Sequence, residues 1–188
     1  MTQFSTPERY TAHSRDTALL VMDMQEKFSP VIWQWEEVRD NVVKMIKAAD
    51  IMHLPVILTE HYPEGLGPIV PEILAAAEGR PIVKKTTFSC CNEDLMARLR
   101  REWIKTILLC GIETHVCIMQ TALDFLAVGF AVHVIADATS SRAQQNRQLA
   151  LERIRAAGGI ISSVEMALFE LLKQSGTSEF RAILQLVK

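Results

Sequence analysis

The sequence lacks three features that mark secreted, membrane-spanning and nucleic-acid-binding proteins. Residues 1–16 are polar and mixed in charge, without the basic start and apolar run of a signal peptide. No stretch approaches the roughly 20 uninterrupted apolar residues that cross a bilayer. The formal net charge is −2, and Lys and Arg are scattered rather than clustered. We therefore expect a cytoplasmic protein that acts on a small molecule, with no nucleic acid and no membrane as partner.

Cysteine and histidine are few and dispersed. The four cysteines have no regular spacing, and the five histidines form no pair at metal-ligand spacing. This pattern predicts free thiols, no metal and no cofactor. The adjacent Cys90 and Cys91 are expected to be ordinary thiols, because a disulfide between neighbouring residues is strained.

What the sequence does contain is an alternation of strand and helix patterns. The predicted strands are 17–23, 55–61, 81–85, 105–111, 131–137 and 158–163. Apolar residues at helical spacing lie between them, namely Val38, Val42, Ile46 and Ala49, then Leu95 and Leu99, then Ile118, Leu123, Leu126 and Ala127, with helix stops at Gly129 and Gly158. We predict one domain over residues 1–188, an α/β fold in which helices cover both faces of a parallel sheet, a three-layer α/β/α sandwich.

Polar residues follow the predicted strands, and ligands of such folds bind beyond the carboxyl ends of the strands. We expect these residues to face one edge of the sheet: Asp23, Glu60, His61, Lys84, Lys85, the 111–117 loop and Asp137.

Three of these positions could supply nucleophilic chemistry. Cys110 lies inside a predicted strand and should pack in the core, whereas Cys117 lies near a helix start, where the dipole lowers a thiol pKa. Asp23 is a candidate general base, or else a helix cap. A lysine at a buried strand end needs an anionic partner, but the residues alone do not decide between Lys84 and Lys85.

Three motifs resemble those of the isochorismatase-like cysteine hydrolase superfamily, over about residues 15–165. They are LLVMDMQEKF with Asp23, KKTTFS with Lys85, and LLCGIETHVCIMQTALDFLAVGFAVHVIADATSSR with Cys117. The stretches ILTEHYPEGLGPIVPEI and KTTFS are most similar to the branch called isochorismatase domain-containing proteins.

The resemblance implies a Rossmann-like six-stranded sheet in the order 3-2-1-4-5-6. It implies Cys117 as nucleophile, Asp23 as acid and base, and Lys85 as the lysine of the triad, which must reach about 10 Å from strand three to strand one. It also implies a cis peptide at Ile112–Glu113 and an oxyanion hole from the backbone N–H groups of Glu113 and Cys117. Candidates for the substrate pocket are Gln25, Phe28, His61, Phe88 and Ser89.

The function implied is a metal-independent cysteine hydrolase of a small amide-like or ester substrate, acting through an acyl-enzyme. The Asp-x-His metal motif of nicotinamidases has no counterpart in TEHYPEGLG. The alternative is a non-hydrolytic scaffold or thiol-based sensor that retains the triad. The resemblance further implies a homo-oligomer, from dimer to octamer.

The residues leave three questions open. The 61–72 segment is either a plain loop or a lid over the site. Trp33 and Trp35 line a pocket or an oligomer contact. The apolar tail EFRAILQLVK supplies an interface or packs back on its own sheet.

Overall fold

A single parallel sheet organises residues 10–188, which a computed structural model describes. Its strands are β1 (Thr17–Met22), β2 (Val56–His61), β3 (Ile82–Lys85), β4 (Thr106–Ile112), β5 (Ala131–Ser140) and β6 (Ile160–Ser162). They lie in the order β3-β2-β1-β4-β5-β6, and each neighbouring pair is parallel. The predicted fold class and strand order are confirmed.

Helices cover both faces of the sheet. They are α1 (Trp35–Ile51), α2 (Pro63–Leu66), α3 (Pro71–Ala76), α4 (Glu93–Arg101), α5 (Met119–Ala127), α6 (Gln144–Ala156), α7 (Val164–Leu172) and α8 (Ser178–Val187), and a π-helical turn, Thr114–Ile118, precedes α5. One core cluster joins the sheet to α1, α3, α7 and α8, and the other joins it to α4, α5 and α6. No helix among residues 10–188 is long and apolar enough to cross a membrane.

Strand alternation divides the central strands between the two cores. In β1, Leu19 and Val21 pack with α1 in the first cluster, whereas Leu20 and Met22 pack in the second. Every residue of β1 is buried. A strand that is buried on both faces has a continuous apolar sequence, which explains why this strand is easy to predict.

The fifth strand is longer than predicted. It continues past Asp137 to Ser140, because its pairing with β4 shifts between Leu109 and Gly111, which pair with Val134 and Thr139. After this bulge, Thr139 and Ser140 pair with Gly111 and Ile112 at the carboxyl end of β4. Asp137 lies in the irregular stretch between the two paired regions. The Asp137 carboxylate instead accepts the backbone N–H of Val164 at the start of α7, 2.8 Å away. The Asp137 carboxylate is thus used at the start of α7, which directly follows the carboxyl end of β6.

The helical pattern is confirmed in α1, where Val38, Val42, Ile46 and Ala49 are buried. In α5 the predicted face was partly wrong. The buried apolar residues are Ile118, Ala122 and Phe125, at spacings of four and three, whereas Leu123 and Leu126 are half-buried and Ala127 is exposed. The step of five from Ile118 to Leu123 does not follow one helical face.

The C-terminal segment packs back on its own chain. Helix α8 buries Ile183 in the cluster that contains α1 and α7, and Phe180 contacts Phe169 edge-on. Trp35 is also a core residue, whereas Trp33 is half-buried beneath the Arg147 guanidinium, 5.9 Å from its ring centre.

Thr17, the first residue of β1, has a fully buried hydroxyl with no hydrogen-bond partner among the described residues. A buried hydroxyl without a partner costs about 1–3 kcal/mol. We expect Thr17→Val to raise the free energy of unfolding by about 1 kcal/mol, measured by urea denaturation. A loss of stability would show that this hydroxyl is satisfied in solution, for example by a bound water.

Candidate active site

Asp23 directly follows β1 in a strained and fully buried position. Its φ is 55°, in the left-handed region, and its exposed fraction is zero. The backbone N–H of Asp23 donates to the Thr59 carbonyl over 3.1 Å. Its carboxylate accepts from the Thr59 hydroxyl over 2.5 Å and from Lys85 Nζ over 2.8 Å. Strained backbone of this kind clusters at functional sites, and the carboxylate caps no helix here.

Strand alternation decides which lysine meets Asp23. Lys85 is the last residue of β3 and is buried, whereas the preceding Lys84 points to the other face and is exposed. The Lys85 side chain reaches across β2, which lies between β3 and β1, to the Asp23 carboxylate. That loop completes its coordination, since Nζ also donates to the carbonyls of Thr87 and Phe88.

Cys117 lies in the π-helical turn that follows β4, and its side chain is almost fully buried. Burial raises the pKa of its thiol, and the Asp23 carboxylate raises this pKa further, while Lys85 opposes the effect. The pKa of this thiol is therefore raised, where the helix start alone predicts that it is lowered, because removal from water disfavours the charged thiolate. The resting sulfur is a neutral thiol that has both Asp23 and Lys85 as electrostatic neighbours.

The other three cysteines are also free thiols. Cys110 is fully buried in β4, as predicted, and burial raises its pKa. Burial raises the pKa of Cys90 to about 12 and that of Cys91 to about 11.

The loop between β4 and Cys117 is held from the end of β5. The Ile112–Glu113 peptide bond is cis. The Glu113 carboxylate accepts from the Arg142 backbone N–H over 2.9 Å and from Arg142 Nε over 3.1 Å. The Thr114 hydroxyl bonds the Thr139 hydroxyl over 2.9 Å. The loop side chains are therefore occupied, which leaves the backbone as the part that can serve a ligand.

A second contact from β5 fixes the same loop. His115 Nδ1 lies 2.9 Å from the Ser141 hydroxyl, and the Thr139 hydroxyl donates to the Gly111 carbonyl over 2.7 Å. Sequence reasoning missed Thr139, Ser141 and Arg142, although the run of polar residues after strand five signals that this strand ends at a polar site.

Gln25 and Glu60 fasten the 61–72 segment rather than facing the triad. The Gln25 amide donates to the carbonyls of His61 and Gly67 and accepts from the His61 N–H over 2.8 Å. Glu60 accepts from the Ile69 N–H over 3.1 Å. Glu60 alternates with Thr59 along β2, so the two side chains leave the strand on opposite faces. Glu60 lies near the carboxyl end of β2, but its carboxylate, like the Gln25 amide, is used by the backbone of this segment.

The remaining pocket candidates lie around the Lys85 loop and beside β1. His61 stacks at a tilt on Phe88, with ring centres 5.3 Å apart, and Phe88 is 48% exposed. Burial, and then Lys85, lower the pKa of His61, so this ring is neutral at pH 7. Ser89 accepts a hydrogen bond from the Cys91 N–H and Phe28 packs against the first core cluster. Of these candidates, His61 has Lys85 and Asp23 as electrostatic neighbours, and the Phe88 carbonyl accepts from Lys85 Nζ.

No group of three metal-binding side chains occurs within residues 10–188. A cavity of about 320 Å³ lies at the amino ends of the strands, lined by Asp16, Thr106 and Ala131 among others. That edge is opposite to Asp23, Lys85 and Cys117, and the cavity lining contains no cysteine.

The fold and this site define an α/β domain of hydrolase type, with a cysteine, an aspartate and a lysine at the carboxyl edge of the sheet. The chain belongs to the isochorismatase family, since the model of the isochorismatase domain matches residues 17–166.

Known proteins of similar sequence and structure agree with this assignment. Isochorismatase domain-containing protein 2 of Danio rerio is 41% identical over 93% of this chain and 88% of its own length. The secreted isochorismatase effector Isc1 of Phytophthora sojae is 42% identical over 96% of this chain and 87% of its own. A structure titled MAR1 ribonuclease from Caenorhabditis elegans aligns with a TM-score of 0.90 and 36% identity, over 94% of this chain and 92% of that one.

Proposed function

We propose that this protein is a metal-independent cysteine hydrolase of a small amide-like or ester substrate. The observation that carries the proposal is the buried Asp23–Lys85 ion pair beside a neutral Cys117 thiol. A carboxylate next to a protonated nucleophile is the arrangement of a general base before reaction.

In the proposed reaction, Asp23 takes the Cys117 proton while the sulfur attacks the carbonyl carbon of the substrate. The new C–S bond gives a tetrahedral oxyanion, which the backbone N–H groups of Glu113 and Cys117 would stabilise. Asp23 then protonates the leaving amine or alcohol, which leaves a thioester. Asp23 next removes a proton from water, the hydroxide attacks the thioester, and Cys117 leaves as a thiol when the proton returns.

The proposed role of Lys85 is electrostatic. Its ammonium neutralises the Asp23 carboxylate in a buried site and lowers the cost of the thiolate. A buried ion pair of this kind contributes little net stability, because desolvation offsets the attraction. The presence of this ion pair at the strand ends therefore supports a catalytic role more than a role in stability.

A thiol-based sensor is a weaker fit to the same geometry. Sensor cysteines are exposed and have low pKa values, because the thiolate reacts with the oxidant. Cys117 is 5% exposed, and burial raises its pKa. An RNA substrate is also a weaker fit, because the net charge is −2 and the lysine of the triad is paired with Asp23.

The test is to trap the acyl-enzyme. The protein is mixed with a panel of small amides, ureas and activated esters, together with a single-stranded RNA, and quenched in acid for mass spectrometry. We expect at least one carbonyl compound to add its acyl mass to the peptide that contains Cys117, with Cys110 unmodified as the internal control. Turnover without any adduct on Cys117, or cleavage of the RNA alone, would contradict the proposal.

The proposal extends to assembly and location. We propose that the chain forms a homo-oligomer, as the family resemblance implies, and that it lies in the cytoplasm, as its composition predicts, although one relative is named a secreted effector. Light scattering of the purified protein measures the assembly, and a monomer at micromolar concentration would contradict it.

A further inference from the structure

Thr59 contacts both the backbone and the side chain of the candidate general base. Its carbonyl accepts the Asp23 N–H over 3.1 Å, and its hydroxyl lies 2.5 Å from Asp23 Oδ1. Both residues have no exposed surface. A carboxylate can only accept, so the hydroxyl is the donor in this bond. Thr59 pairs with Met22 in the sheet register, which fixes its side chain next to the end of β1.

A hydrogen bond donated to a carboxylate favours the ionised form, whereas complete burial favours the neutral acid. At Asp23 two donors oppose burial, Lys85 at Oδ2 and Thr59 at Oδ1. A protonated Asp23 could not take the thiol proton. The hydrogen bond from the Thr59 hydroxyl therefore helps to decide whether Asp23 can act as a base.

We propose that Thr59 is a positioning residue that keeps Asp23 ionised and thereby sets the lowest pH at which Cys117 reacts. The catalytic consequence of this inference rests on the proposed function. The effect of Thr59 on the Asp23 carboxylate does not. It assigns Thr59 a role that the motifs around Asp23, Lys85 and Cys117 do not include.

Four titratable groups lie close enough to Asp23 to affect its charge, in addition to the Thr59 hydroxyl. Lys85 approaches from β3, Cys117 from the π-helical turn, Cys90 from the segment before α4, and His61 from the end of β2. Cys90 is a neutral thiol, because burial raises its pKa to about 12. Burial, and then Lys85, lower the pKa of His61, which disfavours a charged imidazole beside Asp23. Lys85 is thus the charged neighbour of Asp23 in this group, and Thr59 is the neutral donor that can be removed alone.

The experiment measures the pH dependence of two reactions in the full-length protein. The first is kcat/KM for a substrate from the amide and ester panel. The second is alkylation of Cys117 by iodoacetamide, followed by peptide mass spectrometry, which requires no substrate. For Thr59→Val we expect the acid limb of both profiles to move upward by about one pH unit, the size of one hydrogen bond to a charged group. KM should change less than twofold, since Thr59 is not proposed to contact substrate.

Thr59→Ser restores the donor and should return both acid limbs to the wild-type position. Thr17→Val is the matched control, because it removes an equally buried threonine hydroxyl that has no partner among the described residues, and it should leave both limbs unmoved. Unchanged limbs in Thr59→Val, or no recovery in Thr59→Ser, would overturn the proposal. If Thr59→Val and Thr59→Ala both fail to fold while Thr59→Ser folds, the role of Thr59 is structural and the proposal is wrong.

The two proposals fail in different ways. If no carbonyl compound forms an adduct on Cys117, the hydrolase proposal fails, whereas the alkylation profile still measures the effect of Thr59. If adducts form and the Thr59→Val profile does not shift, the hydrolase proposal stands and Thr59 has no part in holding Asp23 ionised.

Discussion

Replacing Cys117 with alanine should lower turnover of any responsive amide or ester by about 10⁴-fold or more, the range seen when a nucleophile is removed. Asp23→Asn should lower it by about 10²- to 10⁴-fold, because asparagine keeps the shape of the side chain but cannot accept the thiol proton. The measurement is kcat/KM for each variant. Both effects should appear mainly in kcat, since neither group is proposed to bind substrate by itself.

The two substitutions should leave the fold intact. Cys117→Ala removes only a sulfur from a turn that the β5 contacts hold, and Asp23→Asn retains an amide oxygen that can accept from the Lys85 ammonium. Cys110→Ala is the matched control, since it removes an equally buried thiol that lies inside β4. Equal losses in Cys117→Ala and Cys110→Ala would mean that packing, and not nucleophilic attack, explains the effect. Unchanged turnover in Cys117→Ala would end the hydrolase proposal.

The largest loss of stability is expected from Gly111→Ala. Gly111 lies in β4 opposite Met22, one residue before Asp23, and its φ is 107°. A Cβ atom there would lie 2.1 Å from the Met22 carbonyl oxygen and 2.7 Å from the Met22 nitrogen. These are backbone atoms of the central strand, so they cannot move aside as a flexible side chain would. The close approach of β1 and β4 at the site requires glycine.

We expect Gly111→Ala to lower the free energy of unfolding by about 4 kcal/mol or more, the range reached by severe core disruptions. Gly129→Ala is the matched control, because Gly129 also has a positive φ, 95°, but no atom lies within 4 Å of its added Cβ. That change should cost about 1–2 kcal/mol from backbone strain alone. Urea denaturation followed by circular dichroism gives both values. A difference below about 1 kcal/mol would show that the two strands separate easily at Gly111.

The layers of the fold follow from patterns that the sequence contains. The apolar runs of β1 and β4 are buried on both faces, and such runs in alternation with amphipathic helices define a parallel α/β sandwich. The face of α5 was misjudged because short helices offer few repeats. The extension of β5 was not predictable, because its bulge depends on how that strand pairs with β4 and not on its own residues.

The candidate site was also predictable only in part. Residue types and their positions pointed to Asp23 and Cys117, and the family resemblance selected Lys85. The folded chain brings the three within electrostatic reach of one another. The chain pattern grouped Glu60 and Asp137 with them, but strand alternation and the β5 bulge turn both towards other partners.

By itself, the sequence determined the sheet, its two helical layers and the family, because burial patterns and motifs are local properties of the chain. Only the tertiary structure decided the protonation of Cys117, the partners of Asp23 and the contact of Thr59 with its carboxylate. A pKa depends on solvent exclusion and on neighbours that arrive from distant parts of the chain. The pKa of the Cys117 thiol, expected to be lowered at a helix start, is raised for this reason, since the same folding that delivers Asp23 and Lys85 to Cys117 also removes the sulfur from water.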